Sequence, residues 1–309
     1  MLGDDDCLLK GYFSTSNRLI EEYSGPDLIH TNAYLYVYPG VLPHAPRGYT
    51  ARWTYEIFKT DRPYYLSKET AKELVRRTMN FEVGFGWNMQ FSLVSFRLIH
   101  ELKRLGPFYQ SPYPDYYGTN LIFLKAKRIL VYPSPLVAIG MTQQSFGAYY
   151  FSNREQQGVE FLKNRMPESY QGLSHLVLPG EQHNTSWLYA VETLRKNLGS
   201  EFDDLRVNYR RYRFLQIYSS YRAYYFDKRL QKSQIAGLRQ MMTWYEKAYS
   251  IGIHLLFGFI RLFRLNSHNR AIRKLQNLIG QYPPDTLEML RVENNDQNIL
   301  ELFERQSKE

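Results

Sequence analysis

The segment LGDDDCLLKGYF sets three consecutive carboxylates, Asp4, Asp5 and Asp6, ahead of an apolar run. Carboxylate oxygens suit hard divalent cations; Mg²⁺ in particular is usually held by one or two carboxylates together with substrate phosphates. A further carboxylate, Asp115, stands in SPYPDYYGTN, where Pro112 and Pro114 stiffen the approach and Tyr116 and Tyr117 follow. A carboxylate positioned in this way can accept a proton from an attacking hydroxyl. Each feature also has a plainer reading. The triplet can serve as an acidic N-cap for a following helix, where negative charge suits the helix dipole. Asp115 can cap the helix after it. Local sequence leaves both pairs of readings open.

Other chemistries find less support. The seven histidines are scattered, with no HxxxH pair and no Asp or Glu at metal-ligand spacing, and read as structural or surface residues. Cys7 is the single cysteine and has no neighbouring His, which rules out an intrachain disulfide and a cysteine-based zinc site. Neither a GxxxxGK[ST] loop nor a GxGxxG fingerprint occurs. Asn184-Thr185-Ser186 matches a glycosylation sequon, but no secretion signal accompanies it.

The elements that must position these residues can be read from periodicity. Residues 7–24 carry apolar side chains at helical spacing and stop at Gly25-Pro26; DLIHTNAYLYVY (27–38) reads as a strand. An irregular, Pro- and Gly-rich loop is expected to about residue 65. Ser67 is the N-cap of a helix over KETAKELVRRTMNF, and GFGW (84–87) is a turn. The spacing predicts an amphipathic helix from Asn88 to Gly106, another over TNLIFLKA, and strand, turn, strand over 128–140. This alternation predicts an α/β layer through about residue 165. Residues 186–280 read as mostly helical. Two regions are therefore expected, 1–165 and a mostly helical, basic extension over 166–309.

The chain has 309 residues, 44% hydrophobic, enough for a substantial core, and a formal net charge of +9. Between Arg206 and Arg239 nine basic residues face a single acid, Asp227, a balance that attracts polyanions. The most apolar stretch, AYSIGIHLLFGFIRLF (248–263), is too short to span a bilayer and is flanked by Lys247, Arg264, Arg270, Arg273 and Lys274. It reads either as a core helix or as an interfacial helix on an anionic membrane. The basic, tyrosine-rich stretch contains no nucleic-acid-binding motif, so no nucleic-acid partner is expected.

The segment LGDDDCLLKGYF resembles the metal-binding segment of family 2 glycosyltransferases, enzymes of the GT-A fold, in which a strand ends in a DxD-type motif and a helix follows. The segment 106–162 is similar to the later half of a bacterial subgroup of that family: a PDYY-like turn, a helix, a strand with a VxPxPL-like element, then an SFGxYxF-NRE-like segment. The resemblance covers roughly residues 1–165. It implies a partial GT-A mixed sheet with flanking helices and an inverting, metal-dependent transfer of sugar from a nucleotide-sugar donor to a hydroxyl acceptor, either a carbohydrate or a lipid-linked one. Mn²⁺ or Mg²⁺ would sit on the Asp4–Asp6 cluster, with either Asp4 and Asp6 or Asp5 and Asp6 as the paired ligands. Asp115 would be the general base. On the acceptor side stand Trp87, as a stacking platform or as core beside Phe85, together with Tyr116 and Arg154, which with Glu155 either contacts the donor or the metal or forms a structural ion pair.

In the family about a hundred residues precede the DxD strand, so the resemblance also implies an N-terminally truncated enzyme that lacks most of its nucleotide pocket. A sheet cut at that point is expected to expose an edge and an apolar face, favouring an oligomer or a partner chain. The expected location is cytoplasmic, peripheral to the inner face of the membrane. The alternative reading is an inactive fragment or interaction module that binds a membrane surface.

Overall fold

The computed structural model describes residues 5–42, 45–107, 110, 113–145, 148, 173, 175–180, 182–263, 268–282, 286–291 and 299. In chain order the strands are β1 (Cys7–Leu8), β2 (Leu28–Val37), β3 (Tyr49–Trp53), β4 (Tyr64–Leu66), β5 (Ser92–Val94), β6 (Ile129–Met141) and β7 (Leu287–Arg291). The helices are α1 (Tyr12–Glu22), α2 (Lys68–Met79), α3 (Phe96–Leu102), α4 (Pro114–Lys125), α5 (Gln182–Leu198), α6 (Tyr209–Arg222), α7 (Lys232–Gln240), α8 (Trp244–Leu262) and α9 (His268–Ile279).

Two long strands form the spine. β2 and β6 run parallel, from Leu28 opposite Ile129 to Val37 opposite Met141. Both are mostly apolar; β2 is buried along nearly its whole length, and β6 is buried on either side of its middle section, Tyr132–Pro135, as a parallel pair covered on both faces requires. The rest of the sheet is antiparallel. Its order is β1-β6-β2-β3-β7, with β4 beside the first residues of β6 and β5 beside the first residues of β2. The architecture is therefore α/β with a mixed seven-stranded sheet.

Several local expectations change. Residues 7–8 are not helical: they pair with β6 as β1, and the helix starts only at Tyr12. The loop expected over 39–65 contains β3 and β4. The helix expected from Asn88 is split into β5 and the shorter α3, capped by Ser95, whose Oγ accepts from Leu98 N. The expected turn over 128–140 is absent. β6 continues through Pro133 and Pro135 because the register slips there: Tyr132 faces Thr31, Pro135 faces Asn32 and Val137 faces Ala33, so three residues bulge out of the ladder. The Ser67 cap forms as expected, accepting from Thr70 N at 3.0 Å.

The start of the spine is clasped by Asp27. Its Oδ2 accepts from Lys127 N and Arg128 N at 2.9 and 3.0 Å, and its Oδ1 accepts from Arg97. Burial alone would raise its pKa, but these bonds outweigh burial and hold it below the usual carboxylate range.

The main core does not divide near residue 165. It joins sheet residues such as Ile129 and Val137 and the α4 residues Tyr117 and Phe123 to Trp187, Leu188, Val191 and Leu194 of α5. β7 also enters the sheet from the far end of the sequence. A smaller cluster lies among α6, α7 and α8, built around Ile217, Tyr221, Leu238 and Phe257.

Candidate functional site

The acidic segment reaches its place through a close crossing. Residues 5–6 lead into β1, which lies along the far end of β6 with Cys7 opposite Ala138. A Cβ at Gly140 would lie 1.8 Å from the Asp5 carbonyl oxygen, so only glycine lets the two chains meet. The same contact brings Gly140 N to Asp6 Oδ1 at 3.1 Å, while Gln90 Nε2 donates to Asp6 Oδ2 at 2.8 Å. Asp5 Oδ2 accepts from Ser145 Oγ, and from Thr142 Oγ1 at 3.3 Å. The turn that carries these hydroxyls is itself fixed by Thr142 N donating to Ser145 Oγ at 2.8 Å. Neither aspartate caps a helix: α1 has Gly11 at its N-cap and no acid in its first turn. Asp4 lies outside the described residues.

Asp115 does not cap a helix either. Pro114 opens α4, a position that suits proline because the missing N–H needs no partner there. The N-cap position belongs to Tyr113, which leaves Asp115 inside the first turn. Its half-buried carboxylate makes no hydrogen bond or ion pair with a described residue. Burial first, and then the charge of Asp6, push its pKa up to about 6. The three-dimensional structure thus couples Asp6 to Asp115 across more than a hundred residues of sequence.

An aromatic wall adjoins Asp115. The Tyr116 ring lies 4.7 Å from Tyr113 and 4.2 Å from Trp87, and Trp187 closes on Trp87 at 4.7 Å. Trp87 is only 5% exposed, so its core reading holds and it offers no open face for stacking. Its carbonyl accepts from Thr119 Oγ1 at 2.6 Å. Tyr116 is half-buried at the site, whereas Arg154 and Glu155 lie outside the described residues. His183 joins the wall, with Nε2 2.9 Å from Tyr282 Oη and Nδ1 3.4 Å from Tyr113 Oη. Burial, reinforced by the charge of Arg229, lowers its pKa to about 4, so it is neutral at pH 7.

Three buried polar atoms of this neighbourhood have no partner among the described residues: Trp87 Nε1, Gln90 Oε1 and Asn120 Oδ1. Gln90 Oε1 belongs to the same amide that holds Asp6. The two carboxylates are hard-oxygen donors that fit Mg²⁺ or Mn²⁺ in kind. No group of three or more His, Cys, Asp or Glu suited to a metal occurs among the described residues.

Sequence reading missed Gln90, Gly140, Thr142, Ser145, Tyr113 and His183. Only the Thr-x-x-Ser spacing after a strand hinted at a self-bonded polar turn. Cys7 is buried and its thiol is pushed up to about 11, which makes it inert. Asn184 is buried and bonded to Ser219 and Gln281, closed to modification in the folded chain. No described helix is long and apolar enough to cross a membrane. No protein-family model, no curated protein and no solved structure matches the chain.

Proposed function

We propose that this chain is an inverting glycosyltransferase of the family 2, GT-A kind, moving a sugar from a nucleotide-sugar donor to a hydroxyl acceptor. The observation that carries the reading is the division of labour among the carboxylates. Asp5 and Asp6 are held by donors from β6, from the Thr142–Ser145 turn and from Gln90. Asp115 has no bonded partner among the described residues, and burial and the charge of Asp6 push its pKa up to about 6. A carboxylate raised in this way is suited to an acid–base role.

In this reading Asp115 accepts the proton of the acceptor hydroxyl as its oxygen attacks the anomeric carbon. The bond from that carbon to the diphosphate breaks on the opposite face. Gln90, Gly140, Thr142 and Ser145 hold Asp5 and Asp6 in orientation. A divalent cation held by Asp5 and Asp6, with Asp4 next to them in sequence, would neutralise the departing diphosphate. Tyr116 and Tyr113 shape the acceptor side.

The test is a thermal melt of the purified chain with Mn²⁺ plus UDP or GDP, followed by transfer assays over a panel of nucleotide sugars. A ligand that binds only the folded state raises the melting temperature. The expected result is a metal-dependent rise that Asp5→Asn/Asp6→Asn abolishes, and transfer whose rate climbs with pH through about 6 as Asp115 deprotonates. A rise that persists in the double variant, or turnover indifferent to Asp115→Asn, would sink the reading.

A further inference from the structure

α8 carries apolar side chains on its outer face as well as its inner one. Glu246, Ser250, Ile253, Phe257 and Ile260 face inward. Outward stand Trp244, Ile251, Leu255, Phe259 and Leu262, with exposures of 81%, 55%, 66%, 54% and 76%. Helical spacing puts these side chains on one stripe, about 28 Å long at 1.5 Å per residue. Phe263, just past the helix end, extends the stripe, its ring 4.4 Å from that of Phe259. Leu278 of α9 is likewise 83% exposed. Contiguous exposed apolar surface of this kind marks an interaction site.

Charge identifies the occupant. From Lys228 to Tyr282 the sequence has ten basic residues and one acid, Glu246. That acid is buried and closed by Arg213, with Nε–Oε1 and Nη2–Oε2 contacts of 2.6 and 2.9 Å. Exposed Lys247 and Arg261 border one edge of the stripe. On the other edge Arg210 lies over Phe214, whose ring packs against Tyr245 and Tyr249. A second copy seated on this face would bring the same cations together with no acid to meet them. An anionic surface meets all of them at once, and an apolar stripe between basic borders, with an exposed Trp at one end, is the composition of a helix lying in a lipid interface.

We propose that α8 docks this chain on the surface of an anionic phospholipid bilayer, lying in the plane of the headgroups with the Trp244–Leu262 stripe in the acyl boundary and Lys247, Arg261 and Arg210 on the lipid phosphates. The proposal does not depend on which reaction the acidic site performs.

The test uses the full chain with vesicles of phosphatidylcholine containing about 30% phosphatidylglycerol, beside pure phosphatidylcholine, in co-sedimentation at about 50 and about 500 mM NaCl. Trp244 is the one largely exposed tryptophan, so its emission should shift to the blue on binding, and Trp244→Phe should lose that shift. The expected result is binding to the anionic vesicles that weakens roughly tenfold or more at high salt and is lost in Leu255→Glu/Phe259→Glu, with circular dichroism confirming that the variant is folded. The proposal is overturned if the wild-type chain ignores anionic vesicles. Unchanged binding by the folded double variant also overturns it. So does a dimer that the double variant dissociates in the absence of vesicle binding, since the face would then join two copies.

Discussion

Asp5 and Asp6 are bonded beside β6, and Asp115, which feels the charge of Asp6, has no bonded partner among the described residues. In the helical region from α7 to α9 the single carboxylate, Glu246, is sealed by Arg213, whose remaining donors reach Leu176 O and Met241 O. The first region is well covered outside but electrostatically unsettled within. The second is settled within, and what it lacks is cover for its outer apolar face. Folded chains rarely keep either kind of deficit without a use for it, because each costs stability or solubility. On the two proposals above, a ligand would answer the inner deficit and a lipid surface the outer one.

The largest expected effect tests the inner deficit. Asp115→Asn should lower transfer by about 10³-fold while stabilising the fold at pH 8 by about 2–3 kcal/mol. The sign follows from linkage. The folded-state pKa of about 6 lies above the unfolded one, so stability falls as pH rises from about 4 through 6. Melts at pH 8 and pH 3.5 measure it: the advantage of the variant should vanish at the lower pH, where Asp115 is protonated in both states. A variant no more stable than wild type at pH 8 would mean that the carboxylate is not strained.

Gly140→Val comes next. Its side chain would meet the Asp5 carbonyl and should cost about 3 kcal/mol or more in a urea titration. A loss below about 1 kcal/mol would mean that the acidic segment can ride away from β6 freely.

Acid sensitivity gives a third test. His30 is fully buried, stacked on Phe58 and edged by Phe123, and burial lowers its pKa to about 3. The unfolded chain binds its proton near pH 6.5, so stability should fall below that pH, by about 2 kcal/mol at pH 5. His183 acts in the same direction. His30→Gln should flatten this limb, and melting curves that keep the wild-type slope would remove His30 as the cause.

The smallest effect is expected at the outer deficit. Leu255→Glu/Phe259→Glu should change stability by no more than about 0.5 kcal/mol, because both side chains already stand in solvent. A large loss would show that the stripe is packed.

What could be read from sequence was what repeats locally. β2, the Ser67-capped α2 and the apolar run of α4 follow from periodicity and capping chemistry. β3, β4, β5 and β7 were not legible, because three to five residues carry little pattern; β3, β4 and β5 form beside β2 and β6, and β7 beside β3. β1 was hidden for the same reason, its two residues continuing the apolar rhythm of α1. Pro133 and Pro135 suggested a turn, and only the bulge opposite Thr31 and Asn32 lets the strand pass through them. At the candidate site the acidic residues stood out by type. Their supports did not, since Gly140 and Gln90 acquire meaning only when β6 and the Gly-rich turn arrive beside Asp5 and Asp6.

The pairing of β3 with β7, fastened by Arg52 to Glu288 at 3.1 Å from Nε to Oε2, has a consequence for how the chain is made. β3 leaves the ribosome about 240 residues before its partner, which at roughly 5–20 residues per second is an interval of about 10–50 s. Throughout that interval the outer edge of Tyr49–Trp53 is open to any neighbouring nascent strand. Slower growth at low temperature or chaperone cover during translation should therefore raise soluble yield more than any change to the finished surface, and nascent chains released before Leu287 should be the ones that aggregate.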